Sequence, residues 1–135
     1  MVNRNVAVIT PQEENIRRQI YIVRDVQIMI DHDLAALFGV ETKAINQAAK
    51  RNLSRFPAEF RFQLTENEKN ELVTSCDRFK SLKHSSTLPY VFTEQGVAML
   101  SAVLRSRTAI EISISIINAF VAMRRFLVAH EPLLQ

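Results

Sequence analysis

The pattern of hydrophobic and polar residues predicts two short helices joined by a tight turn over residues 31–56. In the second helix, 42–52, small apolar residues recur at helical spacing and should form its inner face: Ala44, Ile45, Ala48 and Ala49. The opposite face carries only side chains that donate hydrogen bonds: Lys43, Asn46, Gln47, Lys50 and Arg51. This segment is therefore predicted to be a helix-turn-helix with a polar outer surface.

The residues around the turn favour the same corner. Gly39 stands where the first helix must stop, and glycine readily adopts the left-handed backbone that such a stop requires. Asp31 or Asp33 is predicted to cap the first helix, and Thr42 to cap the second, because their side-chain oxygens can accept the free amide hydrogens of a first turn.

Short strands are predicted on both sides of this segment. Residues 20–30 are rich in β-branched residues, and Arg24 and Asp25 divide them, which indicates a small hairpin. Residues 60–64 alternate between apolar and polar and should form a strand that pairs with a second one at 89–92.

Further helices are predicted between and after these strands. Thr65 followed by Glu68 is a capping box that opens an acidic helix through about residue 73. Residues 74–88 are polar and without a clear period, so they are predicted to be a loop. Thr93 should cap the next helix, whose inner stripe is Val97, Leu100 and Leu104.

Residues 107–129 allow two local readings. Alternating isoleucines from residue 110 to 116 favour a strand, but the segment has no glycine or proline and shows one narrow polar stripe at helical spacing: Glu111, Ser115, Asn118, Ala122 and Arg125. We therefore predict a helix. Its wide apolar surface leaves two interpretations open: a central core helix, or a helix partly buried in a homodimer.

These elements together predict an α+β fold: a mostly helical single domain with a helix-turn-helix and small antiparallel β elements. The domain should span residues 18–130, between a flexible N-terminal arm at 1–17, with a short helix after Pro11, and a C-terminal tail at 131–135. A chain of 135 residues is long enough to bury one such core.

Composition narrows the classes of function. The single Cys76 cannot form an internal disulfide, and the sequence shows neither a signal-peptide core nor about 18 consecutive apolar residues. We expect a cytoplasmic protein without membrane attachment. No spacing suggests a metal site, cofactor, small-molecule substrate or catalytic group, so we do not expect an enzyme.

Charge is concentrated on the predicted second helix and the residues after it. Residues 40–62 hold five cations and two carboxylates, which accounts for the whole formal net charge of +3. A basic patch of this kind is typical of a nucleic-acid surface, although most polar helix faces serve only to keep a domain soluble.

Double-stranded DNA is the partner that these residue types favour, because cations and amides bind phosphates and base edges. Lys43, Asn46, Gln47 and Lys50 should lie nearest the bases, with Arg51, Arg55 and Arg61 on phosphates. A basic loop beside the helix would add further contacts. The complete predicted set is Thr42, Lys43, Asn46, Gln47, Lys50, Arg51, Arg55, Arg61, Lys80 and Lys83.

Four runs, in order, resemble one known family: DHDLAALFGVETKAINQAAKRN, RFPAEFRFQLT, LPYVFTEQGVAML and AIEISISIINAFVAMR. They are similar to the ORF-six-N domain, which is related to the KilA-N and Bro-N domains of phages, bacteria and large DNA viruses. The resemblance covers about residues 20–127 and implies a DNA-binding domain of phage or prophage regulatory proteins, some of them antirepressor-like. It implies no catalytic residue. The alternative function is therefore an antirepressor-like module that binds another regulator through the apolar helix 107–129.

Overall fold

The computed structural model describes residues 10–130, apart from the side chains of residues 81, 84 and 130. The first part of the predicted arm and the tail at 131–135 lie outside this range. The described chain contains six α-helices: α1 Pro11–Arg17, α2 Asp31–Phe38, α3 Thr42–Arg51, α4 Glu66–Ser75, α5 Glu94–Leu104 and α6 Arg107–His130. Its four strands are β1 Tyr21–Val23, β2 Val26–Ile30, β3 Arg61–Gln63 and β4 Tyr90–Phe92. The predicted α+β, mostly helical class is confirmed.

All four strands belong to one antiparallel sheet with the order β1-β2-β4-β3. Both predicted strand pairs are confirmed, and β4 joins them by pairing with β2 as well as with β3. Arg24 and Asp25 have φ angles of 55° and 61°. Positive φ at both central residues is the mark of the type I′ turn, which here forms without glycine.

The sheet separates two hydrophobic clusters because successive strand residues point to opposite faces. Met29 and Phe92 point to the larger cluster, which they share with α2, α3, α5 and α6. Ile28, Ile30 and Val91 point to a smaller cluster closed by α4 and the segment after it. Helix α3 is thus held against the larger core.

Residues 11–17 do not behave as a free arm. The helix predicted after Pro11 is confirmed as α1, and its Ile16 is fully buried against the core. Gln12 and Glu13 accept hydrogen bonds from α6, and Asn118 supplies one of them across 3.0 Å. Residues 11–17 of the predicted flexible arm are therefore a helix that packs on the domain.

Two predicted caps are wrong. Helix α2 has Ile30 at its N-cap and α3 has Glu41, and neither cap has a side-chain hydrogen bond. Asp31 and Asp33 lie inside the first turn of α2, where they are buried and bind other partners. The strand β2 runs directly into α2, so no exposed residue precedes the helix. Thr42 is the first residue of α3 rather than its cap.

The segment predicted as the loop 74–88 is partly ordered as a 3₁₀ helix, Asp77–His84, and α4 extends to residue 75. Phe79 is buried in the smaller cluster. Arg78 donates hydrogen bonds from both Nη atoms to the buried carboxylate of Asp33 on α2. These distant contacts order a stretch whose local composition is polar.

The predicted helix over 107–129 is confirmed as α6. Its inner face, with Ile112, Ile116 and Phe120, is buried in the larger core, whereas Ile110 and Ile114 are exposed. By length and composition alone, Arg107–Ala129 would also be able to cross a membrane. The lack of a long uninterrupted apolar run therefore does not exclude such a span, although one face of the helix packs within this domain.

Candidate nucleic-acid interface

The turn between α2 and α3 fixes the direction of α3. Gly39 ends α2 with φ 71° and ψ 33°, and the amide of Val40 donates to the carbonyl of Ala35 across 3.0 Å. Left-handed backbone at this position is the usual way for a helix to stop. Ile45 and Ala49 then bury the inner face of α3 in the core. The two predicted helices and the turn between them are confirmed. Of the predicted inner face, Ile45 and Ala49 are buried, and Ala44 and Ala48 are half-buried.

The outer face of α3 leaves its long polar side chains open to solvent. Lys43, Gln47, Lys50 and Arg51 are exposed, as is Arg55 in the 3₁₀ helix that follows. Within residues 10–130, none of these five side chains makes a hydrogen bond or ion pair with the protein. Arginines elsewhere are often neutralised, as Arg24 is by Glu68 and Arg124 by Glu94. The donors on this surface are therefore available to a ligand.

Asn46 differs from its neighbours because both ends of its amide are already bonded. Its Nδ2 donates to Oδ2 of Asp31 across 2.8 Å, and its Oδ1 accepts from Nη2 of Arg61 across 3.2 Å. Asp31 is buried, and the same Oδ2 also accepts the backbone amide of Tyr90 across 3.2 Å. This network, Asp31–Asn46–Arg61, links α2, α3 and the sheet beneath the outer face of α3.

Arg61 packs against two aromatic rings of the sheet beside this network. Its guanidinium carbon is 3.6 Å from the ring centre of Tyr90 and 5.7 Å from that of Phe92. Burial lowers the pKa of the Arg61 guanidinium below its ordinary value, partly offset by the nearby Tyr90 and Asp31. Its Nε is buried without a hydrogen-bond partner in the described structure. A half-buried arginine of this kind is held in one orientation.

Five of the predicted contact residues line one concave surface that encloses a volume of about 430 Å³. They are Lys43, Asn46, Gln47, Lys50 and Arg61, and Leu53 and Tyr90 complete the lining. The surface combines positive charge with an aromatic ring and an apolar side chain. A phosphate, a base edge or a thymine methyl group would each find a complementary atom there.

The other predicted residues do not line this surface. The Oγ1 of Thr42 lies 3.3 Å from Nδ1 of His32, so Thr42 connects the starts of α3 and α2. Lys80 forms an exposed ion pair with Asp77 across 3.5 Å. Lys80 and Lys83 belong to the 3₁₀ segment that packs on α4. Arg51 and Arg55 are exposed but do not line the concavity.

Three residues of the site were not among the predicted contacts. The sequence predicts Asp31 as a helix cap and Tyr90 as an ordinary strand residue. Leu53, 62% exposed, stands just after α3. A large exposed apolar side chain beside a basic helix is a feature of the folded surface, and no spacing in the sequence distinguishes it. Across the described residues, no three His, Cys, Asp or Glu side chains come close enough to hold a metal ion.

Comparison with known proteins identifies the family to which this sequence belongs. Comparisons with curated proteins and with solved structures gave no match. The family model described as the ORF6N domain matches residues 18–103, which include the sheet, α2 to α4, all but the last residue of α5 and the whole concave surface. This match covers more than half of the chain and agrees with the resemblance seen in the four sequence runs. The chain belongs to the ORF6N domain family.

Proposed function

We propose that this domain binds double-stranded DNA as part of a phage-type or prophage-type regulatory protein that acts in the cytoplasm. The observation that carries the proposal is the row of exposed and unpaired donors on α3. The opposite face of this helix packs onto the core through Ile45 and Ala49. A helix held in this way can enter the major groove with its donors directed at base edges and phosphates. The ORF6N assignment is consistent with a regulatory role.

The side chains divide into two roles under this proposal. Gln47, with Lys43 and Lys50, is directed toward base edges, because these three residues line the concave surface and have no partner in the described chain. Arg51 and Arg55 come next along the chain and would bind phosphates. Phosphate contacts position the protein without reading the base sequence. Thr42, Lys80 and Lys83 remain predicted contacts of lesser weight.

Asn46 and Arg61 are assigned a positioning role. Each polar end of the Asn46 amide is bonded within the protein, so contact with a base would require it to give up a partner. Arg61 is stacked on Tyr90 and is only half exposed. We propose that the pair fixes the outer face of α3, and that Arg61 adds positive charge at the floor of the concavity.

The roles are tested by comparing a selected DNA site with random duplex DNA of the same length. Gln47→Ala should weaken binding to the selected site by about 1–3 kcal/mol and leave random DNA unaffected. Arg55→Ala should weaken binding to both DNAs alike and make the slope of log affinity against log salt shallower by about 1. Equal losses on both DNAs for Gln47→Ala would contradict base reading by α3.

The alternative is an antirepressor-like module that binds another regulator through α6. The exposed Ile110 and Ile114 favour it, since a large apolar surface commonly marks a protein interface. Salt distinguishes the two functions. Binding through an apolar face should change little between about 50 and 200 mM salt, whereas several phosphate contacts should lose orders of magnitude.

A further inference from the structure

The solvent-facing side of α6 carries a second ordered pattern that DNA binding does not use. Residues 110, 114, 117, 121, 124 and 128 are spaced alternately by four and three, and five of the six are isoleucine or valine. This is the heptad spacing of a coiled-coil seam. We name these six positions the α6 seam.

Apart from Arg124, which pairs with Glu94 of α5, the seam residues lie on a different side of α6 from the faces that the domain already uses. Ile112, Ile116 and Phe120 point into the core, and Ser115 and Asn118 contact α1. The seam residues Ile110, Ile114 and Val128 are 52%, 55% and 62% exposed. The isoleucines and valines at the ends of the seam are therefore left largely uncovered in a single copy of the described chain.

We propose that the α6 seam binds the same seam of a second copy of this chain, with the two helices antiparallel. In this register Ile117 lies opposite Val121 of the second copy, and Ile110 lies opposite Val128. Each apolar contact then occurs twice by two-fold symmetry, as expected of a closed dimer. The seam of one copy is complementary to itself, so no other partner is needed to cover it.

Charge beside the seam fixes the antiparallel direction. Glu111 and Arg125 occupy the same flanking position of the heptad, two repeats apart, and both are exposed without an ion-pair partner within residues 10–130. In the antiparallel register Glu111 of each copy faces Arg125 of the other. In a parallel pair Glu111 and Arg125 would instead lie next to positions 106 and 120 of the other copy, where neither residue carries a charge. Flanking charges of this kind set partner orientation in coiled coils.

The single polar seam position fits the same register. Arg124 forms a salt bridge with Glu94 of its own chain across 2.5 Å, so its charge is already compensated at the surface. Opposite it lies Ile114 of the second copy, which can pack against the aliphatic part of the arginine side chain. One polar residue within an apolar seam lowers the stability of a coiled coil but selects its register.

The test is sedimentation equilibrium of the full chain over about a hundredfold range of protein concentration, since dimerisation follows mass action. We expect reversible dimerisation, with Ile114→Lys raising the dissociation constant at least tenfold. The matched control is Ile22→Lys on β1, because Ile22 has the same 55% exposure. Circular dichroism verifies that both variants fold. A monomer at every concentration, or equal effects of both substitutions, would overturn the proposal.

The orientation is tested by charge exchange. Glu111→Arg and Arg125→Glu should each raise the dissociation constant severalfold, and the double variant should restore the original value. If the double variant instead weakens dimerisation by the sum of the two single effects, the antiparallel pairing is refuted. Flotation with vesicles of neutral phospholipid tests the other occupant of an apolar helix face: monomeric protein that floats with vesicles through α6 would overturn the dimer in favour of a membrane surface.

Discussion

The Asp31–Asn46–Arg61 network makes a specific prediction about stability. Replacing Asp31 with alanine removes a buried acceptor of three N–H groups, those of His32, Asn46 and Tyr90. His32 is exposed, so water can replace its lost bond. The Asn46 amide and the Tyr90 backbone are partly buried, and each unsatisfied donor there costs about 1–3 kcal/mol. We expect Asp31→Ala to lower the free energy of unfolding by about 2–6 kcal/mol.

Asn46→Ala should cost less, about 1–2 kcal/mol, because the Asp31 carboxylate keeps its two backbone donors. The double variant then isolates the bond between the two side chains. If that bond forms, the double loss should be smaller than the sum of the single losses by about 1 kcal/mol. Urea unfolding of the full chain followed by circular dichroism measures all three values.

Asp77→Ala is the matched control, because the Asp77 side chain is 93% exposed. Its loss should stay within about 0.5 kcal/mol, as is usual for surface substitutions. Single losses that add to the double loss within about 0.5 kcal/mol would show that Asp31 and Asn46 act independently. The positioning role assigned to Asn46 would then lose its physical basis.

Three further predictions concern local structure. A Cβ atom at position 96 would lie 2.0 Å from the carbonyl oxygen of Phe60, so Gly96→Ala should destabilise by about 1–3 kcal/mol; an unchanged urea midpoint would contradict this contact. Gly39→Ala should cost about 1–2 kcal/mol through its positive φ and Gly39→Asn less, and equal losses would refute the explanation. The hydrogen bond from the Arg24 guanidinium lowers the pKa of Glu68 from 4.5 to about 2. The ionised carboxylate therefore stabilises the fold at pH values above 4.5, and this stabilisation is lost as the pH falls through 2. Because Arg24 is half exposed, Glu68→Gln should cost less than about 1 kcal/mol at neutral pH, and urea unfolding near pH 2 should show a smaller difference from the wild type.

Local signals predict much of this fold. Gly39 and the capping box of Thr65 and Glu68 act within one turn of chain, and both are found where the sequence indicates. The hairpin around Arg24 and Asp25 is equally local. The joining of β2 to β4 is not, because it connects residues about 60 positions apart through backbone hydrogen bonds that no side-chain pattern specifies.

Long-range polar contacts explain most of the errors. Asp31 and Asp33 look like caps because an aspartate before a helix usually is one. Here β2 enters α2 without a turn, and the two carboxylates bind Asn46 and Arg78 instead. The same Arg78 contact orders a segment that its composition predicts to be a loop. In each case the partner lies too far along the chain for spacing to indicate it.

The sequence predicts which side chains lie on the polar side of α3, but not how the neighbouring elements complete the candidate interface. Helical period alone separates Gln47 and Lys50 from Ile45, because a helix repeats every 3.6 residues. The same period cannot show that Asn46 is bonded inward or that Tyr90 lies beside it. Those facts depend on how α3 rests on the sheet.

The most direct test of DNA binding by α3 is a fluorescence-anisotropy titration with random duplex DNA at several salt concentrations. Four unpaired cations, Lys43, Lys50, Arg51 and Arg55, predict a slope of about −4 in log affinity against log salt, which Lys50→Ala/Arg51→Ala should reduce by about 2. The matched control Arg18→Ala/Arg107→Ala removes two exposed cations outside the interface and should leave the slope unchanged. Absence of binding at low salt, or equal effects of the two double variants, would contradict the assignment of α3 as the DNA-binding face.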